Sequence, residues 1–321
     1  MKYHPNDVSD LTSSKRKAAG AIVLTSRDLS IIRRGYLYAF IAAITGGTFP
    51  VASKYLEGTT APVAISGYVF LLSGLMLIPY KPGVRLGRSS APLVLVVGLL
   101  GAATAPVLYQ FGLQRTTAVN ASLLSNGEVF FTSVIAFAIF GERLERKQLL
   151  EGLVVAAGLI VVATNLDVSG VQFLQGFVGN LLVLAATFFW SVENNILRIA
   201  SSRFGAALVT KYRNLFGGGL VLLLAALLSV SLKLTEVSTA VLLFASLMMA
   251  ITSLFSITAL GTIGAVRTLL VFSTSSIFGA LFSLVFLGEG ISTIQVAGGA
   301  AILAGVYMIQ RSESGKRTLN P

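Results

Sequence analysis

Ten mostly apolar stretches, each close to twenty residues long and separated by short polar or glycine- and proline-marked breaks, constrain this chain more than any other feature. A helix needs about 20 such residues to cross roughly 30 Å of hydrocarbon, whereas a strand-built barrel would show alternating segments of about 10. Breaks at Pro, Gly and charge clusters put the spans at 35–55, 62–80, 91–112, 118–140, 147–165, 176–198, 207–229, 238–259, 265–287 and 292–310. Composition agrees: 55% of the 321 residues are hydrophobic and 12% charged, which excludes both a soluble globular domain and a disordered chain. With no cysteine and His4 as the single histidine, a disulfide scaffold is excluded, and neither a metal site nor a cofactor is expected. The fold class expected is an all-α integral membrane protein.

Connections such as Gly141 to Arg146 and Leu287 to Ser292 make successive helices antiparallel neighbours and leave no room for an extramembrane catalytic domain. The formal charge of +11 raises the question of a nucleic-acid partner, and the positions of the basic residues answer it. With a cytoplasmic N-terminus, the arm 1–34, Lys81, Arg85, Arg88, Arg143, Arg146, Lys147, Arg198, Arg203, Arg311, Lys316 and Arg317 all fall inside. Lys54, Arg115 and Lys233 fall outside. That asymmetry is the positive-inside rule, so the expected partners are the lipid bilayer and a small solute, not nucleic acid. The run Ala18 to Leu24 behind Lys15, Arg16 and Lys17 faintly imitates a signal peptide, but Arg27 and Asp28 follow it, and a retained basic arm is expected. Both termini are therefore expected in the cytoplasm of a plasma (inner) membrane protein.

The chain also repeats itself. Gly141-Glu142 recurs as Gly288-Glu289, and at the same offset Leu113 maps on Leu260, Ala118-Val119 on Ala265-Val266, Gly152 on Gly299 and Gly158 on Gly305. A weaker echo at a slightly smaller offset sets Lys54 against Arg198. Each repeat holds five spans, an odd number, so the halves must insert with opposite orientations, which is a transporter signature. The expected organisation is a basic arm at 1–34, five-helix repeats at 35–165 and 176–310, and a short tail at 311–321.

With Phe140-Gly141-Glu142-Arg143-Leu144 after span four, Leu287-Gly288-Glu289 after span nine and Ala118-Val119-Asn120-Ala121 opening span four, the chain resembles the EamA-domain transporters of the drug/metabolite transporter superfamily. The likeness covers about residues 35–310 and is densest between Gly98 and Gly158. It implies alternating-access transport of amino acids, other metabolites or drugs. Two departures stand out: family members usually carry proline early in span four, where this chain has Asn126-Gly127-Glu128, and the Trp-Gly pair usual in span one appears as Gly46-Gly47, with Trp190-Ser191 in the second half.

Ionisable groups at membrane depth cost at least about 2.5 kcal/mol each, which makes them functional candidates. Glu128, about ten residues into span four with Ser125 and Thr132 on its face, reads as a protonatable or cation-binding group, or as a paired structural carboxylate. Glu193 lies in the polar run Trp190-Ser191-Val192-Glu193-Asn194-Asn195, whose three terminal residues cannot all face one partner at about 100° per residue. Glu193 and Asn194 read as site residues or as interhelical glue, and Trp190 as an aromatic wall or a core residue. Glu128 and Glu193 are the candidates for proton coupling. Arg267, early in span nine, could hold a substrate carboxylate or pair with Glu128 or Glu193, while Lys211, Arg213 and Asn214 near the start of span seven read first as topology markers that snorkel. Tyr109, Gln110 and Tyr68 could hydrogen-bond a ligand.

Glu142 and Glu289, by contrast, stand beside glycine at helix ends, where a carboxylate can cap the following helix. The glycines at 46, 47, 98, 101, 152, 158, 217–219, 298, 299 and 305 read as close-packing positions. No phosphate-binding loop or catalytic triad is visible. The expected function is a secondary active transporter exporting a small polar or amphipathic metabolite, amino acids and related compounds included, with proton coupling as an option. The alternatives are a carrier of organic anions or phosphorylated metabolites using Lys211, Arg213 and Arg267, and, more remotely, a membrane scaffold.

Overall fold

The computed structural model describes residues 26–79, 91–140, 146–165, 170–263 and 265–319. The arm before residue 26, Lys81, Arg85, Arg88, Glu142 and Arg143 lie outside the described residues. Among the described residues all regular structure is helical and forms ten successive units. They are α1 (Ser26–Tyr55), α2 (Pro62–Met76), α3 (Ala91–Leu113), α4a (Ala118–Leu124) with α4b (Gly127–Phe140), α5 (Arg146–Thr164), α6 (Gly170–Phe204), α7 (Ala206–Leu227), α8 (Glu236–Ile263), α9a (Ala265–Phe272) with α9b (Ser275–Phe282), and α10 (Thr293–Leu319). Five helical stretches are long and apolar enough to cross a membrane: Ser30–Tyr55, Ala91–Leu113, Gly176–Leu197, Glu236–Ala259 and Arg267–Leu287.

The outer surface is apolar. Leu150, Leu153, Ile160, Leu223, Leu227, Val285 and Phe286 are all exposed, a distribution that water would penalise and lipid tails accept. Inside, helices pair between repeats: α1 lies along α8, α2 along α7, α3 along α6, α5 along α10, and α4a against α9b. This is the set of contacts expected of two five-helix repeats exchanged by a twofold axis, because α1 with α8 maps on α6 with α3 while the other three pairs map on themselves.

Small residues let these backbones approach. A side-chain carbon at Gly158 would stand 2.8 Å from the carbonyl oxygen of Gly298, and one at Gly47 would stand 2.8 Å from the amide nitrogen of Gly279. Gly219, expected to pack in the same way, instead faces open space.

Spans four and nine, expected as continuous helices, are each divided near mid-length. In the first break the amides of Asn126 and Glu128 bond back only three residues, to Leu123 and Ser125, and in the second those of Thr274 and Ile277 bond to Val271 and Thr274. The two breaks fall within a residue of the same repeat position and touch, with Asn126 Nδ2 donating to Ser276 Oγ at 2.8 Å. Two further departures from regular α-helix are π-helical stretches, Gly98–Thr104 within α3 and Ser283–Leu287 directly after α9b.

Candidate substrate site

The centre of the molecule is built by the meeting of α3, α6 and α7. Glu193, 1% exposed, sits on the inner face of α6, and Arg213 reaches it from the second turn of α7. The guanidinium grips both carboxylate oxygens, Nε to Oε1 and Nη2 to Oε2 at 2.9 Å, in a bidentate pair. Nη2 also donates to the carbonyl of Gly101 at 3.0 Å, and Nη1 to Asn214 Oδ1 at 2.8 Å; Asn214 in turn donates to Ser73 Oγ at 3.0 Å. Gly101 lies in the π-helical stretch of α3, where carbonyls accept from five residues on; the Ala105 amide goes to Leu100, and Pro106 has no amide to offer Gly101, so the Gly101 carbonyl is left outside the ladder. Its oxygen accepts a second bond, from Trp190 Nε1 at 2.9 Å. Glycine is required here because a side-chain carbon at position 101 would overlap the Glu193 carboxylate.

Aromatic rings close the circuit. The Arg213 guanidinium lies 5.7 Å from the centroid of Phe70, Phe70 meets Phe49 edge-on at 6.4 Å, Phe49 meets Tyr109 at 5.4 Å, and Tyr109 meets Trp190 at 5.5 Å. Guanidinium, four rings and the Gly101 carbonyl thus form a closed chain of contacts that begins and ends at the ion pair.

Glu128 sits on the neighbouring face of α6. The break in span four makes Gly127 a helix start inside the bundle and puts Glu128 in the first turn of α4b, where the helix dipole favours a negative charge. Asn194 Nδ2 donates to Glu128 Oε1, and Ser191 Oγ donates to the Glu128 carbonyl at 2.8 Å. Glu128 lies within electrostatic reach of both Glu193 and Arg213. Glu193 and Asn194 therefore face different partners, α7 and α4b, as the helical rotation between adjacent residues demands.

The structure thus brings Glu128, Glu193, Asn194, Trp190 and Tyr109 together. Gln110 is buried next to them but donates to Ser53 Oγ at 2.7 Å, bridging α3 and α1. Tyr68 points toward one end of the bundle and donates to the Leu232 carbonyl at 3.1 Å. Arg267 stands apart and exposed in the first turn of α9a; the cation on Glu193 is Arg213. Sequence reasoning ranked these two the other way because Arg213 lies close to the start of its span. The available signal was the one-residue linker Gly205 between α6 and α7, which forces a tight antiparallel pair and sets the second turn of α7 beside Glu193. Besides Glu193, one more acid among the described residues is fully buried, Glu151 of α5, which was not singled out in the sequence.

Glu289 does cap a helix, but not the one that follows it. Its two oxygens accept the amides of Ala118 and Val119 at 2.9 Å each, capping α4a of the other repeat. The start of α10 is closed by its own residues: Ser292 N donates to Gln295 Oε1 at 2.7 Å and Gln295 N to Ser292 Oγ at 3.1 Å, a reciprocal box legible as Ser-x-x-Gln. Around Glu289 this end of the bundle is tied by polar contacts. Lys54 donates to the carbonyls of Leu113 and Thr116 at 2.9 and 3.0 Å, Gln295 to Asn120 at 2.7 Å, and Ser292 to Asn165 at 3.2 Å. A separate cleft of about 540 Å³, lined by apolar residues including Phe40, Ile277, Phe278 and Tyr307, opens on the side of the bundle beside the α9 break. None of the central charged residues lines it.

Paired repeats, broken helices at the repeat interface and ionisable groups at mid-depth define a membrane transporter of the inverted-repeat type. The EamA-like transporter family matches residues 33–164 and again 177–311, and the chain belongs to that family. A transporter of Methanothermobacter thermautotrophicus with no assigned substrate is 29% identical over 300 residues, 86% of this chain and 85% of its own length. A pseudopaline exporter of Pseudomonas aeruginosa is 27% identical over 139 residues, 42% of this chain and 48% of its own. A probable amino-acid metabolite efflux pump of Salmonella typhimurium is 28% identical over 166 residues, 50% and 52% of the two chains. A crystal structure that superposes with a TM-score of 0.63 at 18% identity, covering 86% of this chain and 96% of the other, has the same fold.

Proposed function

We propose that this protein is a secondary active exporter of a small polar or amphipathic metabolite, amino acids and related compounds included, with its transport coupled to protons. The observation that carries the reading is the pair of carboxylates, Glu193 on α6 and Glu128 on α4b against the adjacent face of α6, at the junction of the two repeats. Each is held by a neutral or cationic partner that a substrate group could replace. The names of the partial relatives, an efflux pump and an exporter, support the outward direction. Glu128, Glu193, Asn194, Trp190 and Tyr109 form the substrate site in this reading, with Gln110 and Tyr68 behind it and Arg267 at the entrance. With the basic ends of the repeats in the cytoplasm of a plasma membrane, both termini are inside, and the end tied by Glu289, Lys54 and Gln295 faces outward. The structure then represents the outward-closed state.

Flux of radiolabelled amino acids and their derivatives from proteoliposomes, with and without an imposed pH gradient, tests this. The expected result is accumulation that follows the gradient and is lost in Glu128→Gln. Flux indifferent to the gradient and unchanged in Glu128→Gln would overturn proton coupling; no flux from a broad panel would overturn transport itself. The position of Arg213 at the centre favours a second reading, the anion carrier, and competition by organic anions against cations decides between them.

A further inference from the structure

We infer that Arg213 is the anchor for a substrate carboxylate, that the Glu193 carboxylate occupies this anchor when no substrate is bound, and that the ring of Phe49, Phe70, Tyr109 and Trp190 selects monocarboxylates with an apolar or aromatic body. The inference rests on the transport reading for its purpose but not for its geometry.

Three observations converge on it. Arg213 presents its fork to one carboxylate in bidentate fashion, the arrangement guanidinium groups use to recognise carboxylate ligands. The second face of the anchor is the Gly101 carbonyl, left free because Pro106 lacks an amide, and the absence of a side chain at Gly101 leaves room there for a flat carboxylate. The rings begin over the guanidinium and return, through Trp190, to the same carbonyl, so an apolar body attached to a carboxylate on Arg213 would meet aromatic side chains as its first neighbours. A tetrahedral phosphate fits less well, because it would bring a surplus negative charge into a site that holds one cation and one anion.

Charge balance then fixes the exchange. At membrane depth the pair is tolerable because its two charges cancel, and a lone ion of either sign is costly. When a substrate carboxylate takes the Arg213 fork, Glu193 must leave as the neutral acid. One proton therefore binds Glu193 for each carboxylate bound; no covalent bond other than the O–H changes, and the net charge of the site stays at zero. The titratable or charged groups on the elements packed against α6 are Tyr109 on α3, Glu128 on α4b, Arg146, Lys147 and Glu151 on α5, and Lys211, Tyr212 and Arg213 on α7. Arg213 holds Glu193 directly, and Glu128 keeps its own partner, Asn194, through the exchange.

Titration calorimetry on the full-length protein in detergent, repeated in two buffers of different ionisation enthalpy, tests this with 3-phenylpropionate, its amide and phenyl phosphate as probes. The expected result is that the acid binds with uptake of about one proton and weakens by up to about tenfold per pH unit as pH rises, while the amide does not bind. In Glu193→Gln the acid should bind more tightly, without proton uptake or pH dependence, and should raise the melting temperature of a variant that otherwise has an unpaired Arg213. Arg213→Gln should abolish binding, and the double variant Glu193→Gln/Arg213→Gln, which leaves no stranded charge, checks that the loss is not one of folding. Equal binding of amide and acid, proton uptake that persists in Glu193→Gln, preference for phenyl phosphate, or no binding at millimolar concentration would each overturn the proposal. Calorimetry needs no flux: absent carboxylate binding with proton-driven flux intact defeats this inference alone, and absent flux with binding intact defeats the transport reading alone.

Discussion

The two repeats share a scaffold and differ in chemistry. Both break their fourth helix at the same position, both carry Gly-Glu after it, and their helices pair across a common axis. Yet the offset that sets Lys54 against Arg198 also sets Phe49 against Glu193, so where the second repeat offers an acid, the first offers a ring. The first repeat likewise supplies Phe70 and Tyr109 to the centre, and the second supplies Arg213 and Trp190. Symmetry of the backbone is what an exchange between two end-states needs, since each state is the other with the halves interchanged. Asymmetry of the side chains is what gives a single site, with the Arg213–Glu193 pair on the wall from the second repeat and three of the four rings on the wall from the first.

The sharpest way to break that comparison is to remove one member of each matched pair. Glu193→Leu strands the Arg213 charge in the bundle and should cost about 3–5 kcal/mol. Phe49→Leu, at the mate position, keeps an apolar side chain in an apolar setting and should cost less than about 1.5 kcal/mol. Thermal melting followed by Trp190 fluorescence in detergent measures both. Equal losses would mean that the central pair is not a buried, interdependent pair, and the two walls would not differ as described.

Much of this was legible in the sequence, for identifiable reasons. The spans and the repeat could be read because apolar length is imposed by the bilayer and because Gly-Glu, at a helix end, keeps its place in both copies. Glu128, Glu193, Asn194, Trp190 and Tyr109 could be singled out because polar groups are scarce enough in these spans to be conspicuous. The breaks could not be read. Proline is the usual mark of a broken helix, and here the turns are made by Ser125, Asn126, Ser273 and Thr274, whose side chains bond locally or across to the other break. The π-helical turn in α3 is marked in the sequence only by Pro106, and the partners that satisfy its Gly101 carbonyl, Trp190 and Arg213, come from helices distant in the chain.

Packing along the shared axis gives a smaller effect with a built-in control. Gly218 of α7 lies against the backbone of α2 at Leu71 and Gly67, whereas Gly219 faces open space. Gly218→Ala should therefore cost about 1–3 kcal/mol through overpacking of the α2–α7 contact, measured by the same melting assay. Gly219→Ala should be neutral or slightly stabilising, since alanine is the better helix former by up to about 1 kcal/mol. If both substitutions were equally harmless, α2 and α7 would not pack as closely as the repeat symmetry requires.

The mildest change tests whether the two ends of the bundle are equivalent. Glu289 belongs to the second repeat and caps α4a of the first, so its carboxylate helps to join the halves at this end through the two hydrogen bonds it accepts. Removing a cap costs about 1 kcal/mol, too little to unfold the protein. Lost from a contact between halves, however, that energy falls on the equilibrium between closed and open forms of this end, and about 1 kcal/mol is close to fivefold in a population. The chain has no cysteine, so a single Ser125→Cys replacement near the break in span four gives a unique reporter. In the Glu289→Ala background, its labelling by a membrane-impermeant thiol reagent applied from the Glu289 side should speed up by about fivefold while the melting temperature falls only slightly. A lower melting temperature with unchanged labelling would make Glu289 a cap and nothing else, and the polar ties of this end would then hold the fold without controlling access to its centre.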